Sequence, residues 1–278
     1  MKLHILVDNN TLIDKYYLAE PGFSVLIEDE KIRLLFDTGY SDIFIRNGQK
    51  MGLDLTHLDY VVLSHSHLDH TWGLEPLIRY YSELKTAGVS CFKPILIAHS
   101  QTFVSVVEKN FGEFGSLMSK EKLAKHFPLE LTDKPMWLSD RVVFLGQIPR
   151  NNDFESIINF GKKDGSNEPD WVIEDSALAY KFGEGLVIVT GCSHAGICNI
   201  IEYAKAVCSE DRISDVIGGL HLQNPSERQL QGTCRYFREL NLKRIHACHC
   251  TDLNSKIALS EVVGIQEVGV GLSLTYSK

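Results

Sequence analysis

Within six residues, His65-Ser66-His67-Leu68-Asp69-His70, the chain sets three imidazoles and a carboxylate. Neutral imidazole nitrogen suits zinc and similar divalent ions, and a carboxylate oxygen completes such coordination. The run just before it, Tyr60-Val61-Val62-Leu63, is apolar and reads as a buried strand. A strand ending there delivers His65 and His67 to one side of a loop and leaves Asp69 and His70 at the start of a helix. Two metal half-sites then arise from one motif. The competing reading is a solvated loop that happens to be rich in histidine, and with 11 His in 278 residues so dense a spacing is a poor match to chance.

The same device recurs later in the chain. The apolar residues 186–190 stop at Gly191-Cys192-Ser193-His194, residues 215–219 lead to Leu220-His221, and residues 243–247 lead to Cys248-His249-Cys250. Four strand ends thus each present histidine or cysteine, and their convergence on one sheet edge would gather those donors. A further strand, residues 32–36, ends at Asp37-Thr38-Gly39. The strand 94–98 ends at His99, which as a lone strand-end histidine reads as a surface or supporting residue rather than a ligand.

Helices must fill the intervals. Ser41 is the expected N-cap of a helix through Met51, with Gly52 as its stop. Leu74, Leu77, Ile78, Tyr81 and Leu84 recur at helical spacing and mark an amphipathic helix over residues 73–85. Another runs to about Cys208. Asn224-Pro225-Ser226-Glu227 reads as N-cap, N1 proline and N3 glutamate of a helix carrying Leu230, Cys234, Phe237 and Leu240. Between Ser100 and Asp170 the pattern weakens into Lys- and Glu-rich pieces, a short strand at residues 142–145 and a polar stretch at 162–169. So long a stretch inside a compact domain reads as a substrate-facing insertion. Phe103, Phe111, Phe114, Phe127 and Trp137 would either line a pocket for a flat ring or form the insertion's own small core.

Composition narrows the class. The chain is long enough to bury a sizeable core, and 44% apolar with 23% charged residues is ordinary for a globular protein. A formal net charge of -8 without clustered Lys and Arg argues against a nucleic-acid partner. The seven cysteines are odd in number and lack C-x-x-C spacing, which suits free thiols in a reducing compartment. With no apolar signal region and no run of some 18 apolar residues, the expectation is a cytoplasmic protein acting on a small-molecule substrate, with neither membrane nor nucleic acid as partner.

The His-x-His-x-Asp-His motif resembles the signature of the metallo-β-lactamase-fold superfamily. Val-Asp-Asn-Asn at 7–10, Gly-Cys-Ser-His-Ala-Gly at 191–196, Gly-Gly-Leu-His-Leu at 218–222 and His-Cys-Thr at 249–251 together resemble its dihydropteroate-synthase-like branch. The resemblance spans nearly the whole chain and is weakest at about 100–170. It implies an α/β fold, a four-layer αββα sandwich, formed by one domain over residues 1–278 with the insertion at about 100–170. It also implies two divalent metal ions, zinc foremost, with manganese or iron(II) as alternatives. Their ligands would be His65, His67, Asp69, His70, His194 and His249, with Asp37 bracing the loop or contacting metal or substrate. Asp69 would in addition orient the attacking water.

Three departures bear on that ligand set. Most superfamily members carry a histidine ahead of a hairpin whose second strand ends in an aspartate that bridges the metals. Here Glu174-Asp175-Ser176 precedes the hairpin and Cys192 ends the strand, so His194 would fill one missing position. Cys192 is then either a thiolate ligand or a small buried residue. His221 is favoured as an acid or substrate contact and His249 as the last ligand, with the reverse assignment as the alternative.

The activity implied is hydrolysis by a metal-activated water, on a small phosphorylated or pterin-like substrate. The branch suggests a second outcome, condensation of a dihydropterin with a ribofuranosylaminobenzene phosphate. A redox or metal-sensing role is a third. Diiron members generally carry a glutamate where this chain has His67, together with an attached flavin domain.

Overall fold

The computed structural model describes residues 1–165 and 168–277. Ser166 and Asn167, within the polar stretch 162–169, and Lys278 lie outside the described residues. Two seven-stranded sheets dominate the architecture. In spatial order the first holds Ser273–Thr275, Lys2–Val7, Ser24–Glu28, Arg33–Phe36, Tyr60–Val62, Ile95–Ala98 and Leu129–Leu131. The second holds Gly264–Ile265, Arg244–Cys248, Ile213–Gly219, Gly185–Thr190, Ala177–Phe182, Val142–Phe144 and Met136–Trp137. In each sheet the strands that run up to the histidine-bearing loops pair in parallel, so their carboxyl ends lie side by side.

Alternation along those strands decides what lies between the sheets and what faces the helices. Val187, Val189, Ile217, Leu178 and Tyr180 from the second sheet meet Leu34, Phe36, Val25, Val62 and Ile97 from the first in one buried layer. The opposite faces, Leu186, Ile188 and Val216 on one side and Leu35, Val61 and Leu96 on the other, pack under helices. The helices Ile43–Lys50 and Leu74–Thr86 cover the first sheet, while Ile197–Cys208, Glu227–Leu240 and Leu253–Ser260 cover the second. This is the expected αββα sandwich. Both faces of each sheet are covered, which is why residues 186–190 read as an unbroken apolar run rather than an alternating one.

Local readings need two corrections. The helix after Pro225 starts at Glu227, and its cap is Ser226 rather than Asn224: the Ser226 side chain accepts the Gln229 backbone N–H at 3.2 Å, while Asn224 sits two residues earlier at φ 49°. The helix expected from Ser41 begins at Ile43 with Asp42 at the cap position, although the Ser41 hydroxyl still accepts the Ile43 N–H at 3.3 Å.

Between Ser100 and Asp170, the strand Leu129–Leu131 extends the first sheet, while Met136–Trp137 and Val142–Phe144 extend the second. The strands Val106–Glu108, Gly112–Glu113 and Lys162–Lys163 form a small third sheet of their own. Among the described residues no helix is long and apolar enough to cross a membrane.

Candidate metal centre

Several of the strands that feed the centre are followed by a sharp change of direction. Asp37 and His249 directly after their strands, and Ser193 and His221 two or three residues beyond theirs, adopt φ between 50° and 61° although none is glycine. Left-handed backbone at a non-glycine residue is uncommon, though Asp and His tolerate it better than most. Here it turns each chain out of its sheet and aims the next side chains across the gap between the sheets. Gly191 permits a close approach at this point, because a Cβ there would lie 2.2 Å from Ser64 Oγ and 2.9 Å from Asp37 Oδ2. Gly191→Ala should therefore push the two ligand loops apart and cost about 1–3 kcal/mol of stability together with metal affinity, measurable by thermal unfolding and metal titration.

The structure brings the six expected ligands into two adjoining groups. His65, His67 and His194 offer ring nitrogens within 4.8 Å of one another, and so do the donor atoms of Asp69, His70 and His249. The His65 and His194 ring centroids are 4.7 Å apart, although one histidine comes from each sheet. In the second group His70 Nε2 lies 3.2 Å from His249 Nε2, and Asp69 Oδ2 lies 3.3 Å from His249 Nε2. Cys192 Sγ reaches His70 Nε2 at 3.2 Å and also groups with His65 and His70, so it stands at the boundary between the two sets.

Supporting hydrogen bonds fix which nitrogen of each ring carries its proton. Ser64 Oγ donates to Asp37 Oδ2 at 2.7 Å, so at its 2.8 Å contact with His65 Nδ1 the ring nitrogen is the donor. His70 Nδ1 likewise donates to Asp37 Oδ2 at 2.7 Å, and His249 Nδ1 donates to Asn9 Oδ1 at 2.9 Å. With Nδ1 so engaged, all three rings turn Nε2 inward, that of His249 toward Asp69 Oδ2 at 3.3 Å. Such outer hydrogen bonds are how proteins orient imidazole ligands. Asp37 is fully buried and spends both oxygens on Ser64 and His70, so it braces the loop from behind and does not face a substrate. Asp37→Asn replaces one acceptor oxygen with a donor, and metal affinity is expected to fall about 10- to 100-fold with little change in fold. Equilibrium titration with zinc tests it.

Electrostatics agree with a cation-binding role. Burial lowers the pKa of His67 to about 3 and holds His65 and His194 well below the usual histidine value, so all three are neutral near pH 7 and need lose no proton to act as ligands. Their Nε2 atoms are buried and have no hydrogen-bond partner. Leaving three buried acceptors unpaired costs free energy, and a shared cation satisfies all of them. Around His249, burial works against protonation, but the Asp69 hydrogen bond and the nearby Cys250, Asp69 and Asp8 charges prevail and raise its pKa to about 9. The second group thus favours positive charge, which a proton or a metal ion can bring.

His221 is placed differently. Its ring packs against His194, with centroids 4.4 Å apart, and edge-on to Phe160 at 5.3 Å. Among the described residues it joins no group of converging ligand atoms. A crevice of about 10 Å³, room for about one water molecule, opens beside it between Ser156, Ile157, Ile158, His194 and Gln229. His99 lies apart, with its Nε2 3.3 Å from Asp133.

Several participants carried no sequence signal. Phe160 lies over the first group, 5.4 Å from His67 and 4.8 Å from His194 between ring centroids. Of the five aromatics considered for a pocket, Phe114 touches His67 at 4.7 Å, with Phe111 against it. Phe127 is buried in the first sheet's helical layer, and Trp137 is an exposed edge residue. Glu174-Asp175-Ser176, where a histidine was missing, serves as a clamp. Ser66 Oγ donates to Glu174, the Ser176 N–H donates to the Ser64 carbonyl and the Ala195 N–H donates to Asp175. Asp8 accepts the His249 N–H at 3.0 Å. Cys250, which the sequence alone had left unassigned, stands beside Cys192 and His249.

Comparison with known proteins agrees with this arrangement. The metallo-beta-lactamase superfamily matches residues 18–85, the segment that contains the histidine loop. An uncharacterized protein of Methanocaldococcus jannaschii is 33% identical over 260 residues, 94% of either chain. From the same organism, 7,8-dihydropterin-6-methyl-4-(beta-D-ribofuranosyl)-aminobenzene-5'-phosphate synthase is 28% identical over 92% of this chain and 89% of its own. The crystal structure of a metal-dependent hydrolase of the beta-lactamase superfamily superposes with a TM-score of 0.82 at 25% identity, covering both chains fully. The chain belongs to the metallo-β-lactamase superfamily. Cys192 follows the strand Gly185–Thr190 by two residues, and His194 lies two residues beyond it.

Proposed function

We propose that this member of the superfamily is a metal-dependent hydrolase that uses two divalent cations, zinc foremost, on a small phosphorylated or pterin-like molecule in the cytoplasm. The observation that carries the reading is the pair of adjoining donor groups, His65/His67/His194, buried, and Asp69/His70/His249, partly buried, with rings braced by Asp37 and Ser64 or by Asn9. Cations held there supply Lewis acidity toward a phosphoryl or carbonyl oxygen and make water acidic near neutral pH.

The remaining work falls to side chains. Asp69 lies at the edge of the second group and is positioned to orient the attacking water and accept its proton. His221, packed against His194, is assigned the proton transfer to the leaving group. Phe114 and Phe160 wall the site and exclude water from it. We assign the segments around 100–118 and 151–165, which carry Phe114 and Phe160, to substrate contact.

A second reading has a specific observation behind it. The 28% identical synthase aligns over nearly its whole length, which favours condensation of a dihydropterin with a phosphorylated ribofuranosylaminobenzene at the same centre. A discriminating experiment loads the metal-free chain with zinc and assays phosphodiesters, phosphomonoesters and lactones beside the pterin and arylamine pair. Turnover of an ester or lactone that disappears with chelation supports the hydrolase. Condensation without any hydrolysis would replace it with the synthase.

A further inference from the structure

The second donor group carries sulfur that the six-ligand reading does not use. Cys192 Sγ lies 3.2 Å from His70 Nε2, and the two sulfurs of Cys192 and Cys250 and a ring nitrogen of His249 all fall within 4.8 Å of one another. Both cysteines are free, and Cys192 is 5% exposed. Two backbone contacts fix Cys250: its sulfur accepts the His221 N–H at 3.3 Å and reaches the Cys192 carbonyl at 3.4 Å. Gly219 leaves room for it, since a Cβ there would come within 2.5 Å of the Cys250 sulfur.

Zinc sits about 2.3 Å from a thiolate sulfur and 2.0–2.1 Å from an imidazole nitrogen, so the donors of a tetrahedral ion stand roughly 3.3–3.8 Å apart. Cys192 to His70 at 3.2 Å, His70 to His249 at 3.2 Å and His249 to Asp69 at 3.3 Å lie close to that spacing. Glutamate or aspartate in place of the two sulfurs would suit magnesium or manganese, whereas thiolates select zinc, cobalt and cadmium.

We propose that Cys192 and Cys250 form a thiolate pair that, with His249, binds the second cation and makes that position selective for thiophilic metals. The proposal rests on reading the centre as a metal site but not on any substrate. On binding, each thiol releases its proton to solvent and no electron is transferred. Cys250 is thereby a ligand outside the six that the His-x-His-x-Asp-His pattern implies.

The test uses cobalt as the probe, added to metal-free full-length protein under anaerobic, reducing conditions. The expected result is a near-ultraviolet sulfur-to-cobalt absorption band that grows with the second equivalent of metal. Under the same loading, two of the seven thiols should become protected from alkylation. Cys250→Ser and Cys192→Ser should each remove about half of the band, as one of two sulfur ligands is lost, and the double variant should remove all of it. Cys234→Ser, remote from the centre, should leave it intact. The wild-type band and protection count do not depend on any variant folding, and thermal unfolding of the metal-free variants checks that they do. Two bound cobalt ions without a sulfur band would overturn the thiolate pair and leave the metal centre standing. Absence of bound cobalt altogether would overturn the metal reading itself. A denatured thiol count of five in the wild type purified without reductant would show a disulfide in place of the pair and sink the proposal.

Discussion

His67→Ala should abolish metal-dependent turnover and lower the metal content, while the protein still unfolds in one cooperative transition. The His67 ring sits at the meeting point of the first donor group, 4.6 Å from both the His65 and His194 ring centroids, and its Nε2 has no protein partner. Removing it leaves two imidazoles, too few to hold the ion in a fixed geometry. The fold has separate support. The layer between the sheets and the two helical layers are built from fully buried Phe23, Phe36, Phe44, Phe144 and Phe237 and many aliphatic residues. At about 25 cal/mol per Å² of apolar surface removed from water, these layers dominate the stability. Losing one imidazole and its contacts with Phe114 and Phe160 should cost about 1–3 kcal/mol. Turnover, metal per chain and a calorimetric scan together decide the matter: loss of cooperative unfolding would mean that the metal holds the fold together rather than doing chemistry.

The second large effect separates two histidines by one measurement. His249→Ala should cost about one metal ion per chain, because its Nε2 faces Asp69 and His70 and its orientation is fixed by Asn9 and Asp8. His221→Ala should keep the full metal complement and lose about a hundred- to ten-thousand-fold in turnover, the usual contribution of a general acid. Because His221 packs tilted against His194 and, among the described residues, joins no group of ligand atoms, its loss leaves the donors in place. If His221→Ala sheds metal while His249→Ala retains it, the two roles must be exchanged.

Much of this centre could be read from the chain because its parts are local. His65, His67, Asp69 and His70 lie within six residues, and the apolar runs ahead of Asp37, Cys192, His221 and His249 announced buried strands delivering polar groups. Elements set by distant partners left no such trace. Ser273–Thr275 reads as an ordinary tail until it pairs with Lys2–Val7. Phe160 sits in a stretch without periodicity, and only the tertiary fold brings it onto His67 and His194. Cys250 is one of seven cysteines, and its meaning depends on a strand end 58 residues earlier. Ser226 displaced Asn224 as a cap for a smaller reason: both are good capping residues, and only the backbone geometry shows which one faces the helix.

The Asp8 carboxylate that holds the His249 backbone lies 241 residues before it. Closing a loop of that length is slow and entropically costly compared with forming a hairpin. During synthesis the histidine loop and the first sheet's central strands emerge early, but His249 cannot take its place until the strand Arg244–Cys248 has left the ribosome as well. A nascent or truncated chain can therefore carry the three histidines of the first motif and still lack a complete centre, so metal captured before that point would be held by an imperfect set of donors and remain exchangeable. Emergence of the strand end that carries His249, rather than appearance of the motif, sets when the second position closes.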